Sequence, residues 1–340
     1  MRQACEGAEL HSSCSEEKND VGYHPSLRPF VSIILCTSGL RPMLTRCLEH
    51  LTAQDYTGYE IILVLNGPED PSFAQAVSRF PVKLLNEPRR GVSIARNHAV
   101  SQAKGEILVF VDDDVLIGTD WLDEIVKGFA DPNVACVTGR VIPAGPLCLA
   151  AERADRYYAS ERALSAWSLD ASDPSWYQYI LGEPVGFGCN MAFRKAFLET
   201  YSLFPVDLGA GSLIGGGDEF YMYVQVLKHG FRIRHTPTAA ATHYFENDID
   251  KQKVRNAQLR AGSVAFALKL FLEERTLRPA TLKWLFSGVK RRVRHIWGQK
   301  AIASEPQELL SPGEKLLAYM RGLGVYWKSR RINHSATPHA

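Results

Sequence analysis

Three aspartates, Asp112, Asp113 and Asp114, follow directly on the apolar run Ile107-Leu108-Val109-Phe110-Val111. Neighbouring carboxylates repel one another, and burying them without a counter-charge is costly. Oxygen donors alone suit a hard divalent ion such as Mg²⁺ or Mn²⁺. Such ions commonly bridge carboxylates to phosphate oxygens. The triplet therefore reads as a cation–diphosphate site; by itself it also fits a solvated acidic turn. A second acidic pair, Asp218-Glu219, follows Gly215-Gly216-Gly217 and leads into a helical pattern over Phe220 to His229. Acids there serve as caps and dipole partners. A glycine run before them also describes a loop that presents a general base. His243 follows an expected late strand, Arg232 to Ala241. Beside a carboxylate-bound cation it becomes a further ligand.

Basic and small residues supply the complementary groups. In Thr37-Ser38-Gly39 the glycine lets an anion approach backbone amides at a helix start. Arg89 and Arg90 precede Gly91, and Arg96 and Asn97 lie in the first turns of the helix that follows, where cations meet a phosphate or a base. Gly186 to Arg194, which includes Asn190, is rich in small residues and then strand-like, allowing close approach to a ligand.

These groups need elements to position them. Phe30 to Thr37, Tyr59 to Leu65, Val82 to Leu85 and Ile107 to Val111 are short, β-branched, apolar runs, the pattern of strands buried on both faces. Helical patterns lie between them, the first with Leu44, Cys47, Leu48 and Leu51 on one side. Another is expected over Trp121 to Ala130, with a strand from Val134 to Ile142. Strand–helix–strand alternation predicts a mostly parallel sheet with right-handed crossovers. Carboxylates at the C-terminal end of a central strand sit where such sheets bind ligands.

Composition sets the bounds. The chain has 340 residues, 46% hydrophobic and 22% charged, which places it among globular α/β proteins rather than disordered or fibrous ones. Its seven cysteines are scattered and form no Cys-x-x-Cys pair, against a disulfide framework or a zinc site and in favour of a reducing cytosol. No secretory or membrane-spanning segment is expected. Residues 1–28 read as a flexible arm and 332–340 as a tail. Residues 251–300 hold 13 Lys and Arg against 2 Glu, a net charge of +11, interleaved with Leu, Phe and Trp. That pattern suits peripheral contact with a membrane surface. A basic helical layer is the plainer reading, and no nucleic acid is expected.

Taken together and in order, Val31 to Leu51, Glu60 to Asn66 with Gly67-Pro68, Gly91 to Asn97, Asp112-Asp113-Asp114, Gly188 to Arg194 and Gly217-Asp218-Glu219 with the late His243 resemble a family 2 glycosyltransferase of the GT-A fold. The likeness covers about residues 30–245. It implies an α/β fold with a mostly parallel central sheet, a Rossmann-like nucleotide-binding half (29–115), an acceptor half (116–245) and, beyond the likeness, a helical basic region (246–331). It implies transfer of a sugar, with inversion, from a UDP-, GDP- or dTDP-linked donor to a glycan or lipid-linked acceptor, in cell-surface polysaccharide or glycolipid synthesis. Thr37, Arg41, Asn66 and Arg96 fall where such enzymes line the nucleotide pocket, with Asp113 and Asn190 as further donor contacts. Asp112 and Asp114 take the metal-binding positions, with His243 as a further ligand. The family has Glu-Asp where this chain has Asp218-Glu219, so the base falls on Glu219 with Asp218 as rival. The implied setting is the cytoplasm, with peripheral contact at the inner face of the cell membrane.

Two other functions share parts of this pattern. A sugar nucleotidyltransferase would carry a Gly-rich, Lys-bearing loop after the first strand, which Thr37-Ser38-Gly39-Leu40-Arg41 lacks. A non-catalytic membrane-surface scaffold would not need the intact acids. If the acidic triplet holds the cation, Asp114→Ala lowers donor turnover by about three decades or more while the unfolding transition stays in place. Near-normal turnover would remove that role.

Overall fold

The computed structural model describes residues 28–144, 160–173, 176, 185–244, 248–283 and 310–336. Strands β1 (Val31–Thr37), β2 (Tyr59–Asn66), β3 (Val82–Glu87) and β4 (Ile107–Asp112) run parallel in the order β3-β2-β1-β4. They alternate with helices α1 (Leu44–Thr52), α2 (Pro71–Val77) and α3 (Val92–Gln102). After β4 come β5 (Val115–Ile117), α4 (Trp121–Lys127), β6 (Val134–Ala144), α5 (Glu161–Leu164) and β7 (Trp167–Leu169). Then follow β8 (Asn190–Arg194), α6 (Lys195–Thr200), α7 (Asp218–Lys228), β9 (Arg232–Tyr244), α8 (Ile249–Glu273) and α9 (Pro312–Ala336). The sheet continues from β4 through β8, β6 and β9 to β5, with β7 also on β9. The β4–β8, β8–β6, β9–β5 and β7–β9 pairs are antiparallel, and β6 runs parallel to β9.

The apolar runs are continuous because both sheet faces are covered. In β4, Ile107, Val109 and Val111 join one core with α1, α2 and α4. Leu108 and Phe110 join the other with α3 and α7. Leu44, Cys47, Leu48 and Leu51 form the buried side of α1, as their spacing predicts. Asp70 caps α2 by accepting from the amides of Ser72 and Phe73.

Three boundaries differ from expectation, each with a physical cause. The late strand runs on through His243, because β5 pairs against it and sets Val115 opposite His243. Helix α7 begins at Asp218, since Gly217 takes the left-handed conformation (φ +89°) that starts the turn there. Helix α9 continues to Ala336, past Ile332 where a tail is expected. The expected arm, several aromatics of the irregular stretch 143–180 and the Trp284 to Lys300 part of the basic region lie outside the described residues. Among the described residues no helix is long and apolar enough to cross a membrane.

Gly139 lies in the second half of the sheet. It sits in β6 beside a register shift against β9, and a Cβ built on it would lie 2.2 Å from the Ala239 carbonyl oxygen and 2.3 Å from Asn190 Nδ2. Backbone on one side and a fixed amide on the other leave no room to yield. Gly139→Ala therefore lowers the free energy of unfolding by about 3 kcal/mol, read from the midpoint of urea denaturation at unchanged slope.

Candidate active site

The acidic tip of β4 points its three aspartates to different tasks. Asp112 ends the strand half-buried, with Oδ1 3.5 Å from Arg96 Nη2. Asp113 accepts a short hydrogen bond from the Thr37 hydroxyl. Burial pushes its carboxyl up to about 6, with Asp114 and Asp112 adding to the rise and Thr37 opposing it. Asp114 Oδ1 lies 3.1 Å from His243 Nε2. The β5–β9 pairing makes that last contact, because the Tyr244 amide also donates to the Asp114 carbonyl at 3.0 Å.

A buried guanidinium ties this tip to the second acidic pair. Arg96 is almost wholly enclosed in α3, between the rings of Phe110 and Phe204. Its Nη1 donates to Asp218 Oδ2 at 2.6 Å, and its Nη2 donates to the Gly188 carbonyl at 3.0 Å besides facing Asp112. Burial works against the charged form, yet Asp218 and Asp112 more than reverse it and hold Arg96 firmly protonated. Asn97, next in sequence, donates to the Phe204 carbonyl at 2.8 Å and accepts from its amide at 2.9 Å. Ser93 donates to the Leu208 carbonyl and Val92 to that of Ala210. Helix α3 thus docks the loop that delivers Asp218 and Glu219.

The acidic pair divides. Asp218 is buried against Arg96, whereas Glu219 is part-exposed. Loss of water raises the Glu219 carboxyl to about 8, with Asp218 as the next cause and Arg96 opposing. Glu219 is a carboxyl poised to exchange a proton near neutral pH.

Other predicted residues take internal duties. Asn66 Nδ2 donates to the carbonyls of Glu87 and Arg89, and its Oδ1 accepts from the Gly91 amide at 3.0 Å, which ties β2 to the start of α3. Asn190 is buried, donating to the carbonyls of Arg140 and Ala239 and accepting from Trp121 Nε1. Both amide groups spend their hydrogen bonds within the fold, where the sequence assigns them to the donor. Arg89 pairs with Glu87 at 2.9 Å. Arg41 is exposed near Asp113.

Sequence reasoning passes over Cys189. Its Sγ, a carboxylate oxygen of Asp112 and a ring nitrogen of His243 all lie within 4.8 Å of one another. Burial, then Asp112 and Asp114, push its thiol far above the ordinary range, so it stands beside the acids as a neutral group. The signal was its place between Gly188 and Asn190, one residue before β8. The Asp112 carboxylate and the His243 imidazole, which also lies 3.1 Å from Asp114, bring oxygen and nitrogen donors of the kind a divalent cation such as Mn²⁺ takes to one place.

The family model of glycosyl transferase family 2 matches residues 32–202, half of the chain. The chain belongs to this family. Glycosyltransferase AglE of Haloferax volcanii is 32% identical over 204 residues, 57% of this chain and 60% of that protein. The chain thus spans about three fifths of that curated relative. Among solved structures, the mannosyltransferase PcManGT of Pyrobaculum calidifontis, in complex with GDP-Man and Mn²⁺, superposes with a TM-score of 0.52 at 22% identity, over 92% of this chain and 85% of that one. S. aureus TarS 1-349 in complex with UDP-GlcNAc gives a TM-score of 0.54 at 17% identity, over 88% and 81%. These likenesses establish the fold, and the GT-A architecture stands as expected.

For this family 2 chain the Arg96 clamp carries a measurable load. Arg96→Met leaves the buried Asp218 carboxylate without its cation, which costs about 3–5 kcal/mol in a buried pair. Replacing Asp218 as well, in Arg96→Met/Asp218→Leu, returns part of that loss. Equilibrium denaturation of both single variants and the double variant gives the coupling. Strictly additive losses would show that the pair is not linked.

Proposed function

We propose that the chain is an inverting glycosyltransferase that moves a sugar from a nucleoside-diphosphate donor to an acceptor hydroxyl, with a glycan or lipid-linked acceptor in cell-surface polysaccharide or glycolipid synthesis. The observation that carries this is the contrast between two acidic groups joined through one arginine. One gathers Asp112 and His243 with Cys189, and Asp114 stands 3.1 Å from His243, a group suited to a divalent cation. The other, Glu219, is held near 8 at the start of α7. The neighbours solved with GDP-Man and with UDP-GlcNAc support a nucleotide-sugar donor.

A bound divalent cation supplies positive charge against the diphosphate that leaves. The chain's own residues do the rest. Thr37 steadies Asp113 at the tip, where Arg41 stands exposed as a cation for the donor. Glu219 takes the proton of the acceptor hydroxyl as that oxygen attacks the anomeric carbon. Asp218 is committed to Arg96 and positions its neighbour. A single displacement uses no enzyme nucleophile and inverts the anomeric centre.

The test uses whichever UDP-, GDP- or dTDP-sugar raises the melting temperature with Mn²⁺ present. With that donor, Glu219→Gln lowers kcat by about two to four decades and leaves the melting temperature in place. Asp218→Asn lowers both stability and rate. In the wild type kcat rises with pH, because the base acts only when unprotonated, and levels off above about 8. Full activity in Glu219→Gln, or a flat profile across that range, would remove Glu219 as the base.

A further inference from the structure

Helix α9 has two apolar sides, and among the described residues only one of them is buried. Ala318, Gly322, Tyr326 and Ser329 form the buried side. At Gly322 the approach is close: a Cβ there would lie 2.5 Å from the Ala261 carbonyl of α8 and 2.9 Å from Val264 Cβ. The opposite side presents Leu316, Met320, Leu323 and Trp327, exposed at 56, 63, 50 and 52%. Their spacing of 4, 3 and 4 residues puts them in one stripe, within an arc of about 60° and over about 17 Å of helix. Leu317, 50% exposed, widens it. Four large side chains in register, turned to solvent, are not the scattered surface apolar residues of an ordinary globule.

The charge beside the stripe narrows what can cover it. Helix α9 carries Lys315, Arg321, Lys328, Arg330 and Arg331 against Glu314 alone. Leu316, Met320, Leu323 and Trp327 also have the spacing of a coiled-coil seam. A second copy docked through that seam would set two cationic helices together. Like charge opposes that pairing. An anionic lipid surface meets both features at once: acyl chains accept the stripe and headgroups accept the cations. Trp327 at one end has the amphipathic ring favoured at such an interface.

We infer that the outer face of α9 lies on an anionic lipid surface, with Leu316, Met320, Leu323 and Trp327 entering the acyl boundary and the basic residues of the same helix on the headgroups. The surface does not stop at α9. Val254 and Leu259 of α8 are exposed at 58 and 47%, and Leu213, before the glycine run, at 47%. Leu259 Cδ2 lies 3.3 Å from where a Cβ on Gly216 would stand. An exposed apolar residue of α8 thus stands against the loop that precedes Asp218 and Glu219.

The experiment is co-sedimentation of the full chain with vesicles of phosphatidylcholine alone and of phosphatidylcholine with phosphatidylglycerol, at low and high salt. The expected result is binding to the phosphatidylglycerol vesicles only, weakened by salt. Leu316→Ser/Met320→Ser/Trp327→Ser lowers that binding about tenfold or more. Arg321→Gln and Lys328→Gln, both exposed, each lower it about fivefold. All of these leave the Mn²⁺-dependent donor shift unchanged, because none of the residues touches the site. Equal binding by wild type and triple variant overturns the inference, as does failure of the wild type to bind the anionic vesicles. A concentration-dependent dimer in ultracentrifugation, abolished by the same triple substitution, assigns the face to a second copy and overturns it too.

Discussion

A buried arginine cannot shed its proton, so it must be surrounded by counter-charge. Arg96 satisfies this with one carboxylate from the tip of β4 and one from the first turn of α7, 122 residues further on than itself. That requirement explains much of the surrounding architecture. Helix α3 must hold the guanidinium between Phe110 and Phe204, and its Ser93 and Asn97 must fix the incoming loop. Gly209 must lack a side chain, since a Cβ there would meet Val92 at 2.7 Å and the Asp218 carboxyl carbon at 3.1 Å. Two acidic segments remote in sequence become neighbours because a single cation needs both.

The same arrangement separates acids that look alike in sequence. Asp218 and Glu219 are adjacent, but helix geometry turns adjacent side chains about 100° apart. One faces Arg96, where its charge is welcome. The other faces the site, where little water and a nearby negative charge favour the protonated form. At the β4 tip Asp113 is drawn to Thr37 while Asp114 reaches His243. Chemical identity of the residues is uniform here; environment assigns the work.

Much of this was legible in the sequence, and the reasons are physical. Strands buried on both faces must be apolar throughout, so β1, β2 and β4 announced themselves. Helix α1 showed its inner side by spacing alone. The acidic tip was legible through its company: carboxylates at the end of a buried strand, with a second acidic pair and a late histidine further along the chain. Other features depend on partners that no local pattern contains. His243 belongs inside β9 because β5 and β6 pair on either side of it. Asn66, Asn190 and Arg96 have side chains suited equally to a ligand or to the backbone, and long-range neighbours decided for the backbone or for carboxylates. The two-sided character of α9 is hidden for a related reason: apolar residues on opposite faces cancel in any periodicity measure.

The cysteines carry one more consequence. Cys36 in β1, Cys47 in α1, Cys136 in β6 and Cys189 before β8 are free thiols spread over the helical layer and both halves of the sheet. Burial raises the first to about 12 and pushes the other three well above the ordinary thiol range. Only a thiolate attacks an alkylating reagent or a disulfide at an appreciable rate. These four sulfurs are therefore silent in the closed protein, and each becomes reactive when its own part of the fold opens. The molecule carries, without any label added, a set of chemical clocks for the breathing of its own sheet.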